Sequence, residues 1–243
     1  MILFITDTHC RYDVINRQVE AAESLLNETV SDVIVLGDFG LYEPFLRRFL
    51  GRGKPGFSRP VSFIEGNHED FDHFDRLVRR YRERITHLPR GTVHTKDARA
   101  FLALGGAAYM DAHVTPERSV IKPRDIHMCL SHAPDTVDIV LSHDCPDGLG
   151  IENRAGFEHY GEPGFVGGKA IADHFHPSHW LFGHHHRCIE KTIGRTTYIG
   201  LPQSWEGFAV LSDSGDIRLI GHTIPNPPLP RHPLIQRVFP IKE

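Results

Sequence analysis

Short, unbroken apolar runs, each stopping at residues able to hold a metal, constrain this chain more than any other feature. Ile2 to Ile5 leads to Asp7-Thr8-His9, Val33 to Leu36 to Gly37-Asp38, and Val61 to Ile64 to Gly66-Asn67-His68-Glu69. Later, Asp138 to Leu141 leads to Ser142-His143-Asp144, and Trp180 to Phe182 to Gly183-His184-His185-His186. A short run that is apolar at every position reads as a strand buried on both faces, as in sheets covered by helices. Helical patterns separate the first three runs. Asp13 is the expected N-cap of one through Val14, Val19, Ala22, Leu25 and Leu26; Pro44 opens the second, which Gly51 and Gly53 end; the third spans roughly Phe71 to Arg84. This β-α-β-α-β-α order predicts a parallel sheet with crossover helices, whose ligands gather beyond the carboxyl ends of the strands. Every candidate metal residue falls just there.

The second half has shorter elements. Strands are expected at Ile85 to Leu88, Thr92 to Thr95, Phe101 to Leu104, Cys188 to Ile193, Thr196 to Ile199, Phe208 to Leu211 and Ile217 to Ile220. A helix over Arg124 to Ser131 follows Pro123, and hairpin signals sit at Gly194-Arg195 and Asp213 to Gly215. Residues 144–168 hold seven glycines, and a loop this long inside a compact domain is usually functional or disordered. Neither an internal repeat nor an interdomain linker is visible, so residues 1–243 are expected to form one domain. Residues 222–243 carry six prolines and are expected to lie on it as an extended arm.

Composition excludes several classes. At 40% hydrophobic and 24% charged residues the chain is ordinary for a globular protein. A net charge of -4 and a pI near 6.5 give no general footprint for nucleic acid. Cys10, Cys129, Cys145 and Cys188 form no C-x-x-C pair, so neither a zinc ribbon nor a disulfide framework is signalled. Reduced thiols, the early arrival at Asp7 with no room for a charged leader, and the lack of an apolar run of about 18 residues together lead to an expected cytoplasmic protein without a membrane span. Oligomeric state is not legible.

In an extended segment alternate side chains share a direction. On that basis Asp7 and His9 chelate one ion together, and so do His184 and His186. Asp38 offers two carboxylate oxygens to bridge ions, Asn67 an amide oxygen, and His143 a ring nitrogen. This N/O set without thiolate suits Mn, Fe or Zn better than Mg or Ca; two divalent ions, with Mn2+ foremost, are expected.

The ordered set D-x-H (Asp7 to His9), G-D (Gly37-Asp38), G-N-H-E (Gly66 to Glu69), His143 and G-H-x-H (Gly183 to His186) resembles the calcineurin-like metallophosphoesterase family. The resemblance implies the metallo-dependent phosphatase fold: an α/β, four-layer α-β-β-α sandwich of two mixed β-sheets. It further implies that Asp7, His9, Asp38 and His186 hold one metal, that Asp38, Asn67, His143 and His184 hold the other, and that His68 is the catalytic histidine outside the ligand set. Two ions about 3.5–4 Å apart would activate a bridging hydroxide for attack on phosphorus. Protonated His68 would give its proton to the leaving alkoxide. The phosphoprotein phosphatase pattern G-D-x-V-D-R-G is absent, since this chain reads Gly37-Asp38-Phe39-Gly40-Leu41-Tyr42-Glu43; a dedicated protein Ser/Thr phosphatase is disfavoured.

The segment 142–186 is also similar to RNA lariat debranching enzymes, although those carry Cys in place of Asp7 and a long C-terminal region. The expectation is a dinuclear-metal hydrolase of phosphomonoesters or phosphodiesters. The alternatives are a nucleic-acid or cyclic-nucleotide phosphodiesterase and, less favoured, a non-catalytic binding scaffold. The partner is a phosphoester small molecule or a nucleotide or nucleic-acid phosphodiester. Arg11, Arg154 and Arg187 are candidates for phosphate oxygens, and Phe157 and Tyr160 for stacking a base or other flat group. His185 is expected either near the site without holding metal or exposed, Cys10 to be structural, and His127 and His132 to lie on the surface. Glu69, Asp70, Asp72 and Asp75 are read as acids complementing a helix dipole.

Overall fold

A computed structural model describes residues 1–112, 114–153 and 156–225. Two six-stranded mixed sheets face each other, with helices on both outer faces. The first sheet has the order β12-β11-β1-β2-β3-β4, built from β1 (Ile2–Ile5), β2 (Asp32–Leu36), β3 (Val61–Ile64), β4 (Thr86–His87), β11 (Gly207–Leu211) and β12 (Ile217–Gly221). β1 to β4 run parallel, and β11 pairs antiparallel with β1. The second sheet has the order β5-β6-β7-β8-β10-β9: β5 (Thr92–Lys96), β6 (Arg99–Leu104), β7 (Ile139–Ser142), β8 (His179–Phe182), β9 (Ile189–Ile193) and β10 (Thr196–Gly200). Its four central strands are parallel, and β5 and β9 close the edges antiparallel.

The continuous apolar runs are needed because each strand feeds two cores. Leu3, Ile5, Val33, Val35 and Phe63 pack under α1 (Tyr12–Leu26), α2 (Glu43–Leu50) and α3 (Phe74–Tyr81). Their neighbours Ile2, Phe4, Ile34, Leu36 and Ile64 meet Phe101, Ala103, Ile139, Leu141, Leu181 and Ile199 between the sheets. Leu102, Leu104, Val140, Trp180 and Phe182 face α4 (Pro123–Leu130) and α5 (Gly168–Phe175). The period of two in strand side chains assigns each set to its layer. Phe4 is fully buried, and truncating such a residue costs about 3–5 kcal/mol.

Helix ends differ from expectation. α1 begins at Tyr12 with Arg11 in the N-cap position, so Asp13 sits inside the first turn, where its charge still complements the helix dipole. α3 starts only at Phe74, because Glu69 is drawn into the preceding loop. Of the expected C-terminal arm, only residues 222–225 are described: His222 and Ile224 donate backbone hydrogen bonds to Glu206 and Trp205. Residues 226–243 lie outside the described ones. No helix among the described residues is long and apolar enough to cross a membrane.

Candidate metal centre

The loops leaving β1, β2, β3, β7 and β8 converge at one pole, on the carboxyl ends of parallel strands from both sheets. They are not extended. Asp7, His9, Asp38, His184 and His186 have φ values of 54°, 45°, 48°, 64° and 54°. Left-handed backbone is uncommon outside glycine, and Asp and His are among the residues that adopt it most readily. Side-chain alternation therefore does not govern these loops, and His184 and His186 have different neighbours. Nε2 of His186 lies 3.0 Å from Oδ1 of Asp7, whereas the His184 ring sits 5.0 Å from the His143 ring. Glycines permit the approach: a Cβ on Gly66 would collide with Asp38, and one on Gly37 with the His143 ring.

The donor atoms are aimed by their other hydrogen bonds. Oδ2 of Asp7 accepts from the Thr6 hydroxyl at 2.7 Å and the His184 amide at 3.1 Å. Oδ1 is left toward His186 and, at 3.7 Å, Nε2 of His9. Nδ1 of His143 lies 2.8 Å from the Leu36 carbonyl, which only accepts, so Nδ1 carries the proton. Nε2 then faces Oδ1 of Asn67 at 3.1 Å and Oδ1 of Asp38 at 3.4 Å. Asn67 cannot turn its NH2 there, because Nδ2 donates to the Val114 carbonyl at 2.7 Å. Nε2 and the two oxygens face one another in a buried space, a set that a cation, or a proton on the His143 ring, would satisfy. Potential metal donors group as Asp7 with His9 and His186, and as Asp7 with Asp38 and His143, each within 4.8 Å. Both groups fit a divalent cation with mixed oxygen and nitrogen ligands.

Electrostatics agree with that geometry. Burial pushes the Asp7 carboxyl up, but His186, His143 and His9 outweigh it and hold it well below the usual carboxylate range. Asp38, also opposed by burial, is held down by His143, His68 and His9. Burial takes His9 down to about 4 and His184 to about 3, despite nearby carboxylates, leaving neutral rings suited to ligation. His143 is raised because Asp38 and Asp7 overcome its burial. His68 sits at the opening: its amide donates to Oδ1 of Asp38 at 2.8 Å, and its ring lies 5.6 Å from that of His9.

Asp38, Asn67, His68, His184 and His186 line one end of a cavity of about 890 Å3. Phe157, Tyr160 and Arg187 also line it. Phe157 and Tyr160 pack on each other at 5.9 Å, and Arg187 donates to the Glu152 carbonyl. Arg11 is not in that lining; its guanidinium lies 4.4 Å over the Trp205 ring. Arg154 lies outside the described residues.

Three features escaped sequence reading. Glu69 is not a helix-dipole acid. Its buried carboxyl accepts from the amides of Phe39, Leu41 and Gly66, binding the β2 and β3 loops together. Burial beside Asp38 pushes it up to about 8 against those hydrogen bonds. Asp144 accepts from His185 at 2.9 Å and from the amides of Ala108 and Cys145. Asp144, Cys145 and His185 lie close enough to suggest a further metal group. The acid is already occupied by these donors, and burial pushes the Cys145 thiol up, so this is a hydrogen-bonded support for His185. Finally, α4 lends the cavity an aliphatic wall whose residues read in sequence only as core, while His127 on the same helix is exposed as expected and also lines the cavity. Cys10, buried against the Gly40 carbonyl, is structural as expected.

Comparison with known proteins supports the same fold. One solved structure superposes with a TM-score of 0.63 over 91% of this chain and 98% of its own, at 14% identity. A putative 5'-nucleotidase from Staphylococcus aureus, solved with alpha-ketoglutarate, gives 0.53 at 14% identity, covering 91% of this chain and 53% of that one. GAP50 of Plasmodium, described as the anchor in the inner membrane complex, gives 0.51 at 11% identity, covering 85% and 72%. A search of curated proteins finds no significant sequence match. The calcineurin-like phosphoesterase profile matches residues 1–188. With the five motifs in order, the two-sheet sandwich around them and this match over most of its length, the chain belongs to the calcineurin-like phosphoesterase family.

Proposed function

We propose that the protein is a metal-dependent hydrolase of phosphoesters with two divalent ions at this pole, Mn2+ foremost. The observation that carries this reading is the meeting of Nε2 of His143 with Oδ1 of Asn67 and Oδ1 of Asp38, each already fixed by other bonds. Asp7, His9 and His186 would hold one ion, Asn67, His143 and His184 the other, with Asp38 between them. Bound there, the ions supply Lewis acidity toward a phosphoryl oxygen and acidify a water. The chain's own residues do the rest. Thr6 and the His184 amide fix Asp7, Leu36 fixes the tautomer of His143, and Glu69 fixes the loop carrying His68. Protonated His68, at the cavity opening, donates to the departing alkoxide. A scaffold without catalysis is the weaker reading, because no expected donor has been lost.

Metal-loaded protein should turn over p-nitrophenyl phosphate or bis(p-nitrophenyl) phosphate, and the ratio of the two rates assigns monoester or diester preference. His68→Ala should lower kcat by about 10^2–10^4-fold with metal content unchanged by elemental analysis. Absence of turnover of either ester in a fully loaded sample rejects catalysis. Equal loss of metal and activity in the variant makes His68 a ligand or a structural residue.

A further inference from the structure

The cavity is far larger than a phosphate group, and away from the candidate metals one wall of it is aliphatic. Ile121, Ile126, Leu130 and Val166 line it together with Val114 and Phe165. Val114 is joined to the centre itself, since its carbonyl receives the Asn67 amide at 2.7 Å. Three of the six exposed large hydrophobic side chains among the described residues, Tyr109, Phe157 and Val166, stand on this one rim, and Val166 is 80% exposed. Apolar surface collected at one opening marks a binding site rather than chance exposure.

Charge narrows the occupant. A polyanionic strand needs a track of cations. Among the described residues, the lysines and arginines lining the cavity are Lys122 and Arg187. Lys122 pairs with Glu117 at 3.0 Å, and Arg187 donates to the Glu152 carbonyl at 3.0 Å. Glu152 and Glu162 add acidic groups to the same lining. A nucleobase is a poor fit as well. The Tyr160 ring already has His159 4.0 Å away and Phe157 at 5.9 Å, tilted by 37°, and its hydroxyl is held by Asp111. Phe157 and Tyr160 therefore form no open pair of parallel faces. Branched aliphatic walls instead suit a flexible chain that carries no hydrogen-bonding groups.

We propose that this groove receives the alkyl chain of a straight-chain alkyl phosphoester, with its phosphate at the candidate metal centre and the hydrocarbon running along α4 toward Val166. The inference rests on the phosphoesterase reading and adds the substrate class. Each methylene buried on the way to the transition state should raise kcat/KM by up to about fourfold.

The test compares butyl, hexyl, octyl and decyl phosphates with adenosine 5'-monophosphate, each below its micellar concentration, by phosphate release from the metal-loaded protein. Non-hydrolysable butyl- and decylphosphonate are titrated in parallel by calorimetry. The expected result is kcat/KM rising roughly two- to fourfold per methylene, with the nucleotide below octyl phosphate and decylphosphonate binding at least about tenfold more tightly than butylphosphonate. Val166→Glu and Phe157→Ser, on the exposed rim, should each lower the decyl-to-butyl ratio by about tenfold. Their melting temperatures check folding, and either variant alone suffices for the comparison. Turnover that does not change with chain length, or a preference for the nucleotide, overturns the groove and leaves the phosphoesterase reading intact. If no ester is turned over, that reading falls, and the phosphonate titration still judges the groove: tighter binding of the longer chain supports it, equal binding overturns it.

Discussion

The two sheets contribute to the candidate centre unequally. The first sheet sends Asp7, His9, Asp38 and Asn67, and thus every oxygen donor in the set. The second sends His143, His184 and His186, which bring ring nitrogens and no carboxylate. The negative charge sits on one wall at almost complete burial, with Asp7 at 0% and Asp38 at 1% exposure. The opposing wall can only offer nitrogen. Cations between them would connect the sheets at a pole where Asp7 and His186, 179 positions apart in the chain, lie side by side. The difference shows that neither half is a site alone: one holds the carboxylates without enough ligands, the other holds imidazoles without a carboxylate.

Removing a carboxylate should therefore damage the centre more than removing one imidazole. Asp38→Ala is expected to lower kcat/KM by at least about 10^3-fold, equivalent to several kcal/mol of transition-state stabilisation, and to reduce metal content at both positions. His143→Ala should lose metal mainly at one. Equal metal loss in the two variants, measured by elemental analysis, would break the division between the sheets.

A second test addresses how the first sheet is tied to the cavity wall. Glu65, leaving β3, bonds His87 at 2.8 Å and Arg90 at 2.5 Å, and Arg90 in turn holds the carbonyls of Arg118, Ser119 and Val120. Burial pushes Glu65 up, yet the His87 hydrogen bond and the Arg90 charge bring it down to about 2 from the usual 4.5. A carboxyl with a depressed folded-state pKa contributes stability that is complete above the unfolded value and lost as pH falls through the folded one. Stability should thus decline by roughly 3 kcal/mol between about pH 4.5 and 2 on this account. In Glu65→Gln that part of the acid limb should flatten in urea titrations, and an unchanged limb would remove Glu65 from the account.

The smallest effect is expected at Arg11. Its guanidinium lies over Trp205 and outside the cavity lining, so Arg11→Ala should cost about 0.5–1 kcal/mol of stability. KM should change less than about twofold, within what loss of a remote cation–π contact allows. A large rise in KM would return Arg11 to the phosphate site.

Much of this architecture was legible in the sequence because buried parallel strands leave unbroken apolar runs, and metal-capable residues stand where those runs stop. The central strands β1, β2, β3, β7 and β8 follow from that pattern, and the hairpins near Gly194 and Gly215 from their turn residues. Local backbone was not legible. Alternation assumes extended backbone, whereas Asp7, His9, His184 and His186 are all left-handed. Glu69 looked like one acid among several before a helix; only the return of the β2 loop shows that it receives three amides. Sequence cannot show that α4 turns Ile126 and Leu130 toward the same space as His184, because that depends on how the second sheet seats its helix.

The left-handed backbone at Asp7, His9, Asp38, His184 and His186 has one more consequence. Each such position stores on the order of 1 kcal/mol that glycine would release and alanine would not. Glycine variants should therefore outlast alanine variants in thermal melts at all five. At these places drift toward a sturdier fold and retention of the candidate ligands pull in opposite directions, so a lineage released from selection would shed these residues before it lost its sandwich.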